Sequence, residues 1–227
     1  MHKNAHRSRE GGRAFFAALL LCAVLAGCSG TPPKDDGRSE QEAGRALHDD
    51  LIREMLAQKK YYAALAHVQQ QQAQTGDTPQ LRWLEAEARR NLGQYQVAEE
   101  LYKSLLSTPY VAEGRHGLGL LYSRVDLRAA VWQLQQAVQR RPTDAEMRND
   151  LGYALMVAGR FNEALPQLAT AAELDPDGSR SRNNLIVLLL LTHDEAGAKR
   201  VAAESGISAD AMAGLRKQAA GFKVRRI

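Results

Sequence analysis

Small residues recur along this chain with the regularity of an array. Ala64, Ala98, Ala130, Ala164 and Ala198 stand at intervals of 34, 32, 34 and 34 residues, and three positions before them come Tyr61, Tyr95, Leu127, Phe161 and Glu195. Between these markers the apolar positions fall at i, i+3 and i+4, the period of a helix face and not the alternation of a strand. Each period predicts two amphipathic helices joined by a turn. Five such periods predict an all-α solenoid, because no single hairpin can bury its apolar face alone. The units run 45–78, 79–111, 112–144, 145–178 and 179–206.

The unit at 145–178 is the best formed. Leu151, Leu155 and Leu168 mark a seam, Gly152 and Ala164 are small where two helices approach, Gly159 makes the turn, and Pro176 ends the second helix. Pro166 lies within about a turn of that helix's start, where a missing N–H is tolerated. The preceding unit keeps Leu118, Gly119, Tyr122, Leu134, Ala137 and Pro142 but is one residue short around Val125 and Asp126. The first unit keeps Leu51, Met55, Tyr61, Ala64 and Val68; the second has Glu85 in the leucine column; the last has His193 in place of the turn glycine. Residues 208–227 read as a capping helix and tail, with Met212, Leu215 and Ala219 on one face. The run Leu185–Leu191 is apolar all round but far too short to span a bilayer, so it reads as core.

The chain carries +4 net charge with a pI near 9.1, which would suggest nucleic acid if the charge were spread over the fold. It is not. Residues 1–13 hold Lys3, Arg7, Arg9 and Arg13 against Glu10 and account for three of the four net charges. No basic stripe with interleaved aromatics remains to follow a phosphate backbone, so nucleic acid is not an expected partner.

That basic stretch is followed by AFFAALLLCAVLAG, 14 residues ending at Gly27. A positive start, a short apolar run and small residues before a cut are the layout of a secretory signal, and the run is short of the ~20 residues that cross a bilayer as a helix. Leu25-Ala26-Gly27-Cys28 resembles the lipobox of bacterial lipoproteins, in which the cysteine receives a diacylglycerol, the preceding bond is cut, and the new amino group is usually acylated. The resemblance implies a signal at 1–27, removed on maturation, and lipidation at Cys28. A buried thiol or a disulfide with Cys22 are the competing readings, but processing would discard Cys22. Two or three acyl chains anchor firmly where one is marginal. By similarity to sorting in Gram-negative lipoproteins, Ser29 and not Asp after the cysteine implies the periplasmic face of the outer membrane. Residues 28–44, rich in Gly, Pro, Ser and charge, read as a lipidated cysteine and flexible linker.

The hairpin columns resemble the tetratricopeptide (TPR) pattern, with Arg148 where the leading Trp of that pattern would stand. A TPR solenoid implies a concave groove lined by the first helix of each hairpin. On those helices two columns four residues apart point away from the leucine seam: Asp49, Trp83, His116, Asn149 and Asn183, then Arg53, Glu87, Leu120, Tyr153 and Val187. Asn side chains can hold a peptide backbone with donor and acceptor together, and Trp83 and Tyr153 offer flat apolar contact. Asn184 resembles the Asn that peptide-binding TPRs use for main-chain contacts, with Asp150 as its counterpart one unit earlier. These residues are the candidate surface for a protein or peptide partner. The basic clamp of chaperone-binding TPRs is not recognisable.

No catalytic constellation stands out. His48, His67, His116 and His193 occur singly, without partners at metal-ligand spacing, and Gly114, Gly117 and Gly119 follow no strand that would make them a phosphate loop. The chain reads as a non-enzyme with no cofactor, no metal and no small-molecule substrate. As a whole it resembles the TadD family, TPR lipoproteins of the tight-adherence machinery that assembles Flp-type pili. That resemblance implies a scaffold that binds the pilus secretin or a segment of it and assists its localisation or assembly. Two alternatives stay open: the pilotin of type IVa pili, also a TPR lipoprotein but usually with about six units, and a periplasmic adaptor for an envelope protease or cell-wall enzyme.

Overall fold

A computed structural model describes residues 36–225, with side chains from residue 43. The signal segment, Cys28 and the first part of the linker lie outside the described residues. The chain divides after Arg45, and all packing described below lies within the unit that begins at Ala46. Among the described residues there are eleven helices: α1 (Asp36–Ala57), α2 (Tyr61–Thr75), α3 (Pro79–Asn91), α4 (Tyr95–Ser104), α5 (Val111–Tyr122), α6 (Leu127–Arg140), α7 (Ala145–Val157), α8 (Phe161–Leu174), α9 (Ser179–Leu191), α10 (Glu195–Glu204) and α11 (Ala209–Ala220). They form the five hairpins and the capping helix that the repeat predicts. From α2 to α10 each helix packs on the next, α3 also touches α5, α7 touches α9, and α11 packs on α9.

One boundary differs from the sequence reading. Composition predicts an irregular linker to residue 44, but α1 already begins at Asp36. The stretch RSEQEAGRAL after Gly37 contains no proline and is built from good helix formers, so its charge does not prevent helix; Gly44 alone costs about 1 kcal/mol.

The turns inside the hairpins share one design. Lys59, Gly93, Gly159 and His193 all adopt left-handed backbone, with φ of 60°, 77°, 72° and 61°. In each case the next residue donates its N–H to the carbonyl five positions back: Lys60 to Met55, Gln94 to Arg89, Arg160 to Leu155 and Asp194 to Leu189, at 2.8–2.9 Å. This closure satisfies carbonyls that the helix end leaves open. Glycine takes that conformation at no steric cost, whereas Lys59 and His193 hold it against their own Cβ. The third hairpin is one residue shorter and closes differently. There Asp126 donates to Tyr122, four back, and its side chain caps α6 by accepting from the Ala129 N–H at 3.0 Å.

The seam explains the small residues. A Cβ on Gly152 would sit 2.6 Å from Cγ of Leu168, and one on Gly119 would sit 2.6 Å from Cγ of Leu134, so helix pairs α7/α8 and α5/α6 pack closer than alanine allows. Leu134, Leu155 and Leu168 are fully buried there, each worth about 1.5–3 kcal/mol. In the first hairpin the seam residue is Ile52, fully buried, while Leu51 is 44% exposed. Glu85, in the leucine column of α3, stays at the edge of the core: it pairs with Arg89 at 2.7 Å and accepts from Gln72 at 3.1 Å, while Leu84 and Ala88 on either side fill the interior. Pro166 is the sixth residue of α8, deeper than a first-turn position, and the helix continues through it to Leu174. It forgoes one backbone bond, to the carbonyl of Asn162, an exposed residue that water can reach.

Candidate functional site

The first helices of the hairpins together wall a cleft of about 680 Å³. Arg53 from α1, Trp83 and Glu87 from α3, and His116 and Leu120 from α5 line it, five of the ten residues in the two sequence columns. The Arg53 guanidinium lies 5.8 Å from the Trp83 ring centroid, so the cleft wall carries a cation beside an aromatic ring, and Tyr110, tilted against Trp83 at 6.1 Å, braces that ring.

Glu87 is fixed from behind. It accepts from the Tyr102 hydroxyl at 2.6 Å and from the Arg90 guanidinium at 2.6 Å, and Arg90 also donates to the Tyr102 oxygen at 3.2 Å. Burial, together with the Glu87 charge, pushes the Tyr102 hydroxyl well above its ordinary pKa. Burial works against the Arg90 charge, but Glu87 and Tyr102 outweigh it and raise the pKa further. The result is a locked carboxylate and guanidinium side by side on the cleft wall.

Deeper in the cleft, Glu113 is buried and pairs through one oxygen with Arg141. Its other carboxylate oxygen, Oε2, is shielded from solvent with no hydrogen-bond partner among the described residues. Such an acceptor is costly to leave unmet, so Glu113 is held at this position at the expense of one hydrogen bond. Glu146, Asp150 and Arg180 complete this end, with Glu146 and Arg180 loosely paired at 3.7 Å. The two sequence columns leave Glu113, Glu146 and Arg180 out, although a signal for them exists. They form a third column, one helical turn before His116, Asn149 and Asn183.

A ladder of polar side chains runs along the same helices. Asn184 on α9 donates to Asn149 Oδ1 at 2.8 Å, Asn149 donates to Asp150 Oδ1 at 3.0 Å, and Asp150 Oδ2 meets His116 Nε2 at 2.8 Å. Two of the three links have the same form, joining a column position of one hairpin to the following position of the next. Burial disfavours a charged His116, but the Asp150 hydrogen bond and the charges of Asp150, Glu87 and Glu146 outweigh it and raise its pKa above the ordinary value.

The ladder corrects part of the sequence reading. Asn149 is 2% exposed, and its amide is engaged within the ladder, not held out for a peptide. Asn184 spends its amide N–H on Asn149. Val187, placed on the groove by column spacing, is fully buried, because α11 packs on α9 and covers the face that is open on earlier hairpins. Asn183 sits against that cap, lining a separate hollow with Ser208 and Leu215. Tyr153 stays 43% exposed but outside the main cleft, and Asp49 is half-buried outside the cleft walls, where burial raises its carboxyl pKa against the lowering pull of Arg53. Among the described residues no group of three or more His, Cys, Asp or Glu side chains is placed to hold a metal ion.

Comparison with known proteins agrees with this architecture. Residues 121–185 match a family model described as tetratricopeptide repeat. Over 193 residues the chain is 34% identical to the TPR repeat-containing protein PA4299 of Pseudomonas aeruginosa, covering 83% of this chain and 77% of that one. Among solved structures it is similar to TTC0263, a thermophilic TPR protein of Thermus thermophilus, with a TM-score of 0.61 at 23% identity over 77% of this chain and 96% of that one. It is also similar to YrrB, described as a TPR protein with an unusual peptide-binding site, with a TM-score of 0.52 at 20% identity over 77% and 91% of the two chains.

Proposed function

This chain belongs to the tetratricopeptide-repeat family, and on that footing we propose that it is a lipid-anchored docking scaffold of the bacterial envelope that grips a segment of a partner protein in the cleft of α1, α3, α5 and α7. The observation that carries the reading is the cleft itself: side chains from five successive hairpins converge on one surface with aromatic, cationic and anionic groups already oriented. A rigid surface of this kind loses little entropy on binding. The locked Glu87–Arg90 pair on the cleft wall suits an extended backbone with both donors and acceptors. The peptide-binding site named in the description of YrrB is in keeping with this use of the fold.

The address comes from the N-terminal segment. Acylation of Cys28, with Ser29 next to it, puts the scaffold on the periplasmic face of the outer membrane. Confinement there raises the effective concentration of scaffold and partner, so modest affinity in the cleft suffices. Radiolabelled palmitate should enter the wild-type chain, and Cys28→Ser should lose the label and leave the outer membrane. Label-free wild-type protein would remove the anchor from the account.

The partner we favour is the secretin of a Tad/Flp pilus, with the scaffold helping to localise or assemble it; the support is the combination of lipobox, five hairpins and cap in one short chain. Purifying the native complex from crosslinked envelopes tests this. Recovery of a secretin supports pilus assembly, recovery of a protease or murein enzyme favours the adaptor reading, and recovery of neither removes both. A secretin from a type IVa system would favour the pilotin reading instead.

A further inference from the structure

After α11, residues 222–225 stay on the fold. Residues 222–225 carry no regular secondary structure and turn back across α7 and α5, far from α11's own neighbour in sequence. The Phe222 ring meets the Tyr153 ring edge-on, with centroids 6.2 Å apart and planes at 84°. The Arg225 backbone N–H donates to the Val157 carbonyl at 2.7 Å, and its guanidinium donates to the Ser123 carbonyl at 2.6 Å, 102 residues away in sequence. Val224 lies over the turn at Gly159, where an added Cβ would come within 2.9 Å of its methyl.

The receiving surface has a definite chemistry. Ser123 closes α5 and Val157 is the last residue of α7, so Arg225 sits at the carbonyl ends of two helices, where the helix dipole favours a cation. Beneath it is a hollow of about 120 Å³ walled by Leu127, Leu134, Ala154 and Val157. Leu120 and Asp150 line both this hollow and the main cleft, so the two are parts of one surface. The seated segment is held lightly. Val224 is 41% exposed, and Lys223 and Arg225 are exposed as well.

We propose that the surface between the C-terminal ends of α5 and α7 is a binding site for an extended peptide carrying an aromatic residue and an arginine three positions later, and that Phe222–Arg225 of this chain occupies it in place of the partner. A partner segment of the same chemistry enters by displacing the chain's own. The inference rests on the reading of the odd-numbered helices as a peptide surface, but it concerns the Tyr153–Val157 end and not the Trp83–Arg53 wall. Apparent affinity for an outside peptide is reduced by the fraction of molecules in which the site is open, so occupancy by the chain's own segment acts as a threshold.

The test uses a fluorescently labelled synthetic peptide of sequence GFKVRRI, residues 221–227, and the full chain with Phe222→Ala and Arg225→Ala together. Fluorescence anisotropy should show the peptide binding the double variant about tenfold or more tighter than wild type. The same peptide with its own Phe and first Arg changed to Ala should not bind, and adding Tyr153→Ala to the double variant should abolish binding. Circular dichroism checks that the helices persist; should the double variant unfold, Arg225→Ala alone must give the same order with a smaller ratio. Equal binding to wild type and variant, undiminished binding of the altered peptide, or no binding to a folded variant would each overturn the proposal. A peptide pulled from the crosslinked native complex that maps to the Trp83 wall would leave the main-cleft reading intact in that event.

Discussion

His116 and Asp150 meet at 2.8 Å across the boundary between the third and fourth hairpins, and the pair is the end of a polar ladder that continues through Asn149 to Asn184. Because Asp150 and the neighbouring acids outweigh burial, His116 holds its proton to higher pH in the folded chain than in the unfolded one. A pKa raised on folding adds stability that is fully present below the unfolded value of about 6.5 and is lost as the pH climbs through the folded value. Wild type should therefore melt at a higher temperature at pH 6 than at pH 8, and Asp150→Asn should flatten most of that difference. Equal pH slopes for the two proteins would show that the pair does not couple to folding.

Asn149 is the middle of the ladder and is buried. Asn149→Ala removes the acceptor of Asn184 and a donor to Asp150 at once, leaving partners unmet in a shielded place. The expected cost is about 1–3 kcal/mol in urea unfolding, and Asn184→Ala, at the more open end, should cost less. The reverse order would mean that the ladder is not what holds these side chains.

The close approach at Gly152 makes a sharper forecast. Gly152→Ala drives a methyl into Leu168 and should destabilise by about 1–3 kcal/mol despite alanine's better helix propensity. Leu168→Ala on its own leaves a cavity. Combined, the two substitutions should cost clearly less than their sum, a coupling that a double-mutant cycle reads directly.

The hairpins are legible in the sequence because their strongest constraints are single residues at fixed spacing. Gly119 and Gly152 are glycine because Leu134 and Leu168 occupy the space of a Cβ, and Gly93 and Gly159 because the turn is left-handed. The cleft is partly legible for the same reason: a column on successive helices places Arg53, Trp83, Glu87, His116 and Leu120 together. Column spacing says nothing of what lies over a helix, however. Val187 occupies a groove position by arithmetic and is buried where α11 packs on α9, and Asn149 is turned inward by Asp150 beside it and Asn184 on the next hairpin. The start of α1 escapes a reading by composition because charge and glycine suggest a linker where helix formers prevail.

His193 gives the turn rule a test in the stabilising direction. It stands at φ 61° where two other hairpins use glycine. His193→Gly should stabilise by about 0.5–1 kcal/mol, relief of backbone strain exceeding the added freedom of the unfolded chain. Gly159→Ala should destabilise by about 1 kcal/mol or more, since it adds strain and also presses on Val224. Thermal unfolding of both variants reads the two signs.

The cleft as the seat of a partner segment is tested most directly by site-specific photocrosslinking in intact cells. A benzophenone amino acid is placed at Leu120, on the cleft wall, or at Arg128, exposed on α6. Irradiation should produce a covalent adduct with a larger envelope protein from position 120 and none from position 128. An adduct from 128 alone would move the partner off the cleft and contradict the account.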